Sequence, residues 1–403
     1  MIPTGNRTVH HDVLVIGGGN AGLSIAGRLH RYGVADVAVI EPRSHHRYQP
    51  LFSHVAGGTA RASQAVRPQG DVTPRGVEWI RDSVVTVEPE SSTVVLESGM
   101  RVRYTDLIVC AGIQKDFDAV PGLRSALDTP QVSSHYDVAT IAKTSRLLRN
   151  LRAGTAVFTQ PAGPAACAGA AQKPMYLACD YWRATGVLQN IRVVMVVPDP
   201  TVFGVPMIDA ELERKIAEYG IELRTSSELV EVDGDAREAV IRRDGSDERL
   251  HYDVLNVVPP QSAPDWLKAT TLPAAGEAAG FVEVDPHTLR HRRYTNVWSL
   301  GDSAATLNSK SGGAIREQAK VLAGNLLDVR AGREPSRRYS GYSVAPFTVS
   351  RSTVVFAEFD DQYRQKPTIP FWRGLARERR LTWVFDRHIL PWVYWHLILQ
   401  GRA

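Results

Sequence analysis

One stretch near the start decides most of what this chain can fold into: Asp12-Val-Leu-Val-Ile-Gly17-Gly-Gly19-Asn-Ala-Gly22, followed by Val37-Ala-Val-Ile40-Glu41. Val13 to Ile16 is a short apolar run with β-branched residues and reads as a buried strand. Gly17, Gly19 and Gly22 then have the spacing of a tight strand-to-helix turn. The first permits the turn, the second lets backbone approach a pyrophosphate, and the third lets the helix pack closely on the strand. A pyrophosphate there meets free N–H groups and the positive end of the helix dipole. Val37 to Ile40 supplies the next strand, and Glu41 at its end can accept from adenosine ribose hydroxyls. Glycines alone are weak evidence; strand, glycines, helix, strand and acid in this order predict a dinucleotide site.

At 403 residues the chain suggests two or three domains. A formal charge of +4 is small for that length and points to no nucleic-acid partner. The cysteines are Cys110, Cys167 and Cys179, an odd and low count that argues against a disulfide scaffold and for a reducing compartment. Residues 1 to 11 are polar and run into the first strand, leaving no room for a secretion signal. No run of about eighteen uncharged apolar residues occurs, so no spanning helix is predicted. The expected location is the cytoplasm, or the cytoplasmic side of the cell membrane.

After Glu41, Arg43-Ser-His45-His46-Arg47-Tyr48-Gln49-Pro50-Leu51-Phe52 reads as a loop able to cover a cofactor. His45, His46 and His54 lack metal-ligand spacing and are expected to be solvated or hydrogen-bonded; no metal site is predicted. Short β-rich pieces follow at 77–80, 84–87, 93–96 and 106–110, with Cys110 as a small core residue. A helix over 137–151 and a strand over 155–158 open a second unit. Its turn carries Pro161 and Pro164, which lack the N–H donors that a phosphate needs, so it suits a second dinucleotide poorly.

A strand at 191–197, a helix at 209–219, a strand at 221–224, two charged β pieces within 228–243 and a buried strand at 252–258 complete the second unit. Residues 281–300 return to strands ending at Gly301-Asp302, and a helix follows over 312–328. Ser303 reads as its N-cap. The first unit therefore resumes after the second: residues 1–118 and 275–330 enclose 119–274, and 331–403 stand apart.

That last part differs in composition. Residues 371–380 are basic, and 381–399 are dense in large apolar and aromatic side chains, interrupted by Asp386, Arg387, His388 and Pro391. Aromatics beside arginines suit a membrane surface, where rings sit at headgroup depth and cations meet anionic lipid. A helix pair docked on the core, or on a twin subunit in a homodimer, is the other reading.

Several motifs together are more specific than the glycines: Tyr48-Gln-Pro-Leu-Phe52, Val77-Glu-Trp-Ile80, Cys167-Ala-Gly-Ala with Gln172-Lys173, Phe203-Gly204-Val205, Leu289-Arg-His-Arg-Arg-Tyr294, Gly301-Asp302 and Leu390-Pro-Trp-Val-Tyr-Trp395. On these the chain resembles the FAD-dependent pyridine nucleotide-disulfide oxidoreductases, and within them the sulfide:quinone oxidoreductases of the mitochondrial subgroup. The resemblance implies an α/β protein of two Rossmann-like folds, glutathione-reductase-like, the second inserted in the first, with an amphipathic C-terminal segment. It implies FAD, with Gly17, Gly19, Gly22 and Glu41 on the ADP half and Asp302 on the ribityl chain. Lys310 and Gln318 match positions near the isoalloxazine and quinone. Asn20, Ala21, Pro42, Gln49, Pro50, Ala111, Gly112 and Gly301 fall in the same cofactor-binding segments. The aromatic tail matches the part that enters one leaflet and guides quinone inward.

In that family two cysteines carry the chemistry: sulfide attacks their sulfur bridge, and the electron pair passes through the flavin to quinone. Cys167 matches the flavin-facing cysteine, but Ser303 stands where the other follows the glycine-aspartate pair. A hydroxyl neither forms a disulfide nor carries a persulfide. Cys179 is a poor substitute inside an expected helix. Three functions follow: oxidation of sulfide or a related thiol or persulfide through Cys167 with quinone as acceptor; a flavin-dependent NAD(P)H:quinone dehydrogenase; or a non-catalytic membrane-bound redox sensor.

Overall fold

The computed structural model describes residues 8–277, 279–368 and 373–403. Phe371 and Trp372 of the basic stretch lie outside them. The fold is α/β, built on one mixed and one parallel sheet with helices against their faces.

The first sheet grows from the strand Thr8–Ile16, which pairs in parallel with Val37–Ile40 on one side and Arg101–Val109 on the other. Glu78–Ile80 extends the former edge. On the other side Arg101–Val109 pairs with Val297–Ser299, and antiparallel Thr93–Leu96 leads on to Val84–Glu88. Val13 to Ile16 and Val37 to Ile40 are buried throughout, as central strands of a doubly covered parallel sheet must be. The helices Asn20–Arg31 and Ala314–Arg330 pack on one face, where Leu23, Ile25, Leu29, Trp298, Leu322 and Leu326 share a core.

Between Val109 and Val297 in sequence lies the second sheet, five parallel strands in the order Val132–Ser133, Val254–Val257, Gly154–Thr159, Ile191–Val196 and Glu222–Arg224. Beside it an antiparallel sheet has three strands, Ser227–Asp233, Glu238–Arg243 and Ser246–His251. The third was missed because Ser-Asp-Glu-Arg carries no apolar alternation and is exposed. A hairpin, Ser343–Thr348 and Val354–Phe359, was not expected either; its Phe347 and Phe359 complete the second core around Trp182.

Three local expectations are corrected. The segment after Glu41 is not a plain loop: it holds the strand His45–Arg47 and the helix Pro50–Ala56, whose first residue is proline, the imino acid that fits a helix start. Of 281–300 only Val297–Ser299 is a strand, the rest forming isolated bridges. Ser303 does not cap the long helix, which starts at Ala314. It closes a turn of 3-10 helix and donates to the Val109 carbonyl at 3.2 Å.

The C-terminal segment is helical from Arg380 to Ile398, with two wide π turns. One face docks on the first unit: Tyr394 and Trp395 are buried against Tyr48 and His46. The opposite face leaves Leu381 60% and Trp392 55% exposed, with Val384, Phe385 and Ile389 between them. Among the described residues no helix is long and apolar enough to cross a membrane.

Candidate functional site

The central strands of the first sheet end at a cavity of about 770 Å³, in the range of cofactor and ligand sites, and the second unit adds His135, Tyr136 and the loop of Ala166 and Cys167 to its lining. Its near end is the glycine turn. Gly17 has φ +98°, and a Cβ there would run into the Cys110 carbonyl. A Cβ on Gly22 would fall on the Gly17 carbonyl, so the first helix lies too close to its strand for any side chain. Around Gly19, by contrast, the space where a Cβ would stand is open within 4 Å. Among the described residues no side chain caps that helix, which leaves its first N–H groups open toward the cavity. The Glu41 carboxylate is buried beside them, accepting from Gly18 N at 2.9 Å and from Arg43 N at 2.9 Å. The turn thus offers uncapped donors, open space and an acid, which is what the two ends of an ADP group require. FAD fits the residues present.

Of the predicted site residues, Gly17, Gly19, Asn20, Ala21, Glu41, Gln49, Pro50, Ala111, Gly112, Cys167, Asp302 and Lys310 line this one cavity. Gly22, Pro42, Gly301 and Gln318 stand off its wall. Pro42 is exposed. Gln318 is buried and committed elsewhere: its side-chain oxygen accepts from Gly301 N at 2.9 Å and so fixes the turn that carries Asp302.

Cys167 heads a turn in the left-handed region, φ +53°, an uncommon place for a residue with a side chain. Its N–H donates to the Lys310 carbonyl at 2.6 Å, and the Tyr136 hydroxyl donates to its carbonyl at 3.0 Å. Burial pushes its thiol above the usual range, with Lys173 working the other way. Lys310 is buried, so its ammonium is pushed down to about 8, although Asp302 opposes the shift. Its Nζ donates to the Ala304 carbonyl at 3.0 Å and lies 3.8 Å from the centre of the Phe281 ring. Burial likewise raises the Asp302 carboxyl, against Lys310 and Lys115. All three cysteines are free; Cys110 and Cys179 are buried, Cys179 in the core with Trp182.

Sequence reasoning missed much of the wall. His46 bridges Gly18 and the tail: Nδ1 meets the Gly18 carbonyl at 3.0 Å, and Nε2 the Tyr394 hydroxyl at 2.6 Å. Burial holds its pKa near about 4, so the ring is neutral. Gln69 donates to the same carbonyl at 3.0 Å. At the far end Phe385, Ile389, Leu390 and Val393 of the tail, with Asp386 among them, make an apolar wall. Only the family motif at Leu390 to Trp395 hinted at this.

Comparison with known proteins agrees with this geometry. A family model described as pyridine nucleotide-disulphide oxidoreductase matches residues 11–321. The mitochondrial sulfide:quinone oxidoreductase of Mus musculus is 35% identical over 396 residues, 97% of this chain and 87% of that protein. Its counterpart in Dictyostelium discoideum is 33% identical over 97% of this chain and 86% of the other. The solved sulfide:quinone oxidoreductase of Aquifex aeolicus shares the fold, with TM-score 0.84 over 98% of this chain and 92% of that one at 17% identity. A glycine turn built for a dinucleotide, two Rossmann-like units lining one cavity and relatives of this extent lead to one conclusion: the chain belongs to the FAD-binding pyridine nucleotide-disulphide oxidoreductases, in their sulfide:quinone oxidoreductase branch.

Proposed function

We propose that this protein oxidises sulfide, or a related small thiol or persulfide, and reduces a quinone at a membrane surface. The observation that carries the reading is the single cavity: one wall has the dinucleotide turn and Cys167, and another has the apolar tail. FAD, when bound, supplies a carrier for an electron pair. Gly17, Gly19, Asn20, Ala21 and the free N–H groups of the first helix hold its pyrophosphate, and Glu41 its ribose. Asp302 and Lys310 stand at the flavin end. The Cys167 thiol is the group for sulfur. With Ser303 where a second cysteine would be, the sulfane sulfur leaves on an external small thiol or on sulfide itself.

Adding sulfide and a short-chain quinone in turn to the anaerobic holoprotein should bleach and then restore the flavin band. Bleaching by NADH and not by sulfide reassigns the donor to a pyridine nucleotide, against the poor phosphate loop at Pro161 and Pro164. No response to either leaves a redox sensor.

The exposed tail face, with exposed Arg377, Arg379 and Arg380 beside it, is read as a peripheral, monotopic membrane contact. Replacing Ile389 and Trp392 by serine removes about 2 kcal/mol of apolar burial, roughly a thirtyfold loss in partitioning to vesicles. The partitioning of the unsubstituted protein should rise with anionic lipid and fall with salt. If it ignores vesicles and sediments as a dimer that the double variant disrupts, the face covers a twin subunit instead.

A further inference from the structure

The acceptor end of the cavity poses a proton problem. A quinone reduced to a hydroquinone turns two carbonyl oxygens into hydroxyls and takes up two protons with the electron pair. Phe385, Ile389, Leu390 and Val393 of the tail wall carry no exchangeable side-chain proton, and its two hydroxyls, Thr382 and Tyr394, are engaged with the Val354 carbonyl and His46. One acid interrupts that wall. Asp386 lines the cavity and is itself buried. Its Oδ2 accepts from His54 Nε2 at 3.1 Å and from the Thr348 hydroxyl at 3.4 Å. From the described residues no hydrogen bond reaches its Oδ1.

His54 is fully occupied: with Nε2–H given to the carboxylate, Nδ1 is the acceptor facing the Thr59 hydroxyl at 2.9 Å, whose proton is shared with the His54 carbonyl at 3.3 Å. Thr59 is partly exposed, at the end of the short helix Pro50–Ala56. Arg387 clamps this segment, donating to the Thr59 carbonyl at 3.1 Å and to Gln64 at 2.8 Å. A continuous hydrogen-bonded line therefore runs from the protein surface through Thr59 and His54 to Asp386 at the cavity. Glu358, the other acid on that side, is differently placed: Tyr342 and Thr368 hydroxyls take one oxygen, and Thr368 N takes the other at 3.1 Å.

We infer that Thr59, His54 and Asp386 form the proton path to the electron acceptor, with Asp386 the residue that hands each proton over; this rests on the quinone reading above. For each proton, His54 gives its Nε2 proton to Asp386 as Nδ1 takes one from Thr59, and water refills Thr59. The Asp386 carboxyl then gives its proton to a quinone oxygen. Each pass leaves the His54 proton on Nδ1, so the ring returns to its Nε2–H form before the next; two such cycles supply the two protons, and the electron pair is the one the sulfur donor loses through FAD. The donor's own protons leave to water, so charge balances over the cycle. The charged and titratable groups facing this line are Lys173, Arg387, Tyr48 and Cys167. Burial works against the Asp386 charge, but His54 and Lys173 outweigh it and hold its carboxyl below the usual range. Burial keeps the His54 ring neutral despite Asp386. A neutral imidazole beside a carboxylate is the resting state such a relay needs.

The test isolates the acceptor half-reaction. Holoprotein reduced with dithionite, so that no donor is assumed, is reoxidised either by decylubiquinone, which takes up protons, or by ferricyanide, which does not. In Asp386→Asn the ratio of quinone to ferricyanide rates should fall by roughly 10²-fold, the scale of general acid catalysis. His54→Gln should lower the same ratio. In the unsubstituted protein a solvent deuterium effect should slow quinone reoxidation only. Equal losses with both acceptors would mean that Asp386 merely shapes the cavity, and an unchanged ratio in both variants removes the path. If Asp386→Asn does not fold with FAD, His54→Gln and the deuterium effect decide. Reduced protein that ignores quinone yet reacts with ferricyanide overturns the acceptor assignment, and this inference with it. Quinone reoxidation intact in a protein that sulfide cannot reduce faults only the donor assignment.

Discussion

Cys167→Ala should abolish flavin reduction by sulfide, by on the order of 10³-fold or more, the scale on which losing a covalent nucleophile acts. The other two thiols are less well placed to take over. Cys179 is sealed in the core with Trp182, and Cys110, although it lines the same cavity, is buried at the end of a central strand, where loss of hydration pushes its thiol far up. Ser303 gives its hydroxyl to the Val109 carbonyl and has no sulfur to offer. The variant should still bind FAD, because the glycine turn and Glu41 are contributed by other segments. Cys179→Ala should keep the sulfide response. A Cys167→Ala protein that bleaches at the normal rate would remove the thiol from the reaction. Sulfide would then have to deliver its electrons directly.

The second large effect is expected at Gly22→Ala. One methyl is usually a small change on a helix, where alanine is the best former. Here it would fall on the carbonyl oxygen of Gly17, and backbone cannot rotate out of the way as a side chain can. The helix must move off its strand. Overpacking of this kind costs up to about 3 kcal/mol, and it displaces the N–H groups that would face the pyrophosphate. The purified variant should be colourless or nearly so, with a thermal midpoint several degrees lower. A yellow protein with unchanged melting would show that the close approach is not needed.

What could be read in the sequence divides along physical lines. Buried parallel strands announce themselves by unbroken β-branched runs, so Val13 to Ile16, Val37 to Ile40 and Ile191 to Val196 were legible. So was the turn between the first two, because only glycine tolerates its backbone. Ser246–His251 was not, since an exposed edge strand needs no apolar face. The site was legible where a backbone constraint or a family motif marks it. Cys167 and Asp302 were found that way, and both line the cavity. The partners of His46, Gln69 and Asp386 were invisible because each lies far away in the chain, and spacing carries no trace of such contacts. Ser303 misled for the opposite reason: serine is a common cap, and its true partner, the Val109 carbonyl, belongs to another strand. The tail left two readings open because an amphipathic helix has two sides to assign: one face is docked on the first unit, and the other is exposed.

The bridge made by His46 carries one more implication. Its ring holds the Gly18 carbonyl on one nitrogen and the Tyr394 hydroxyl on the other, so nucleotide turn and terminal helix share a single side chain. Any ligand that favours this position of the imidazole favours the docked helix by the same free energy, and the influence runs equally in reverse. Occupancy of the nucleotide turn and docking of the terminal helix are then two readings of one thermodynamic coupling.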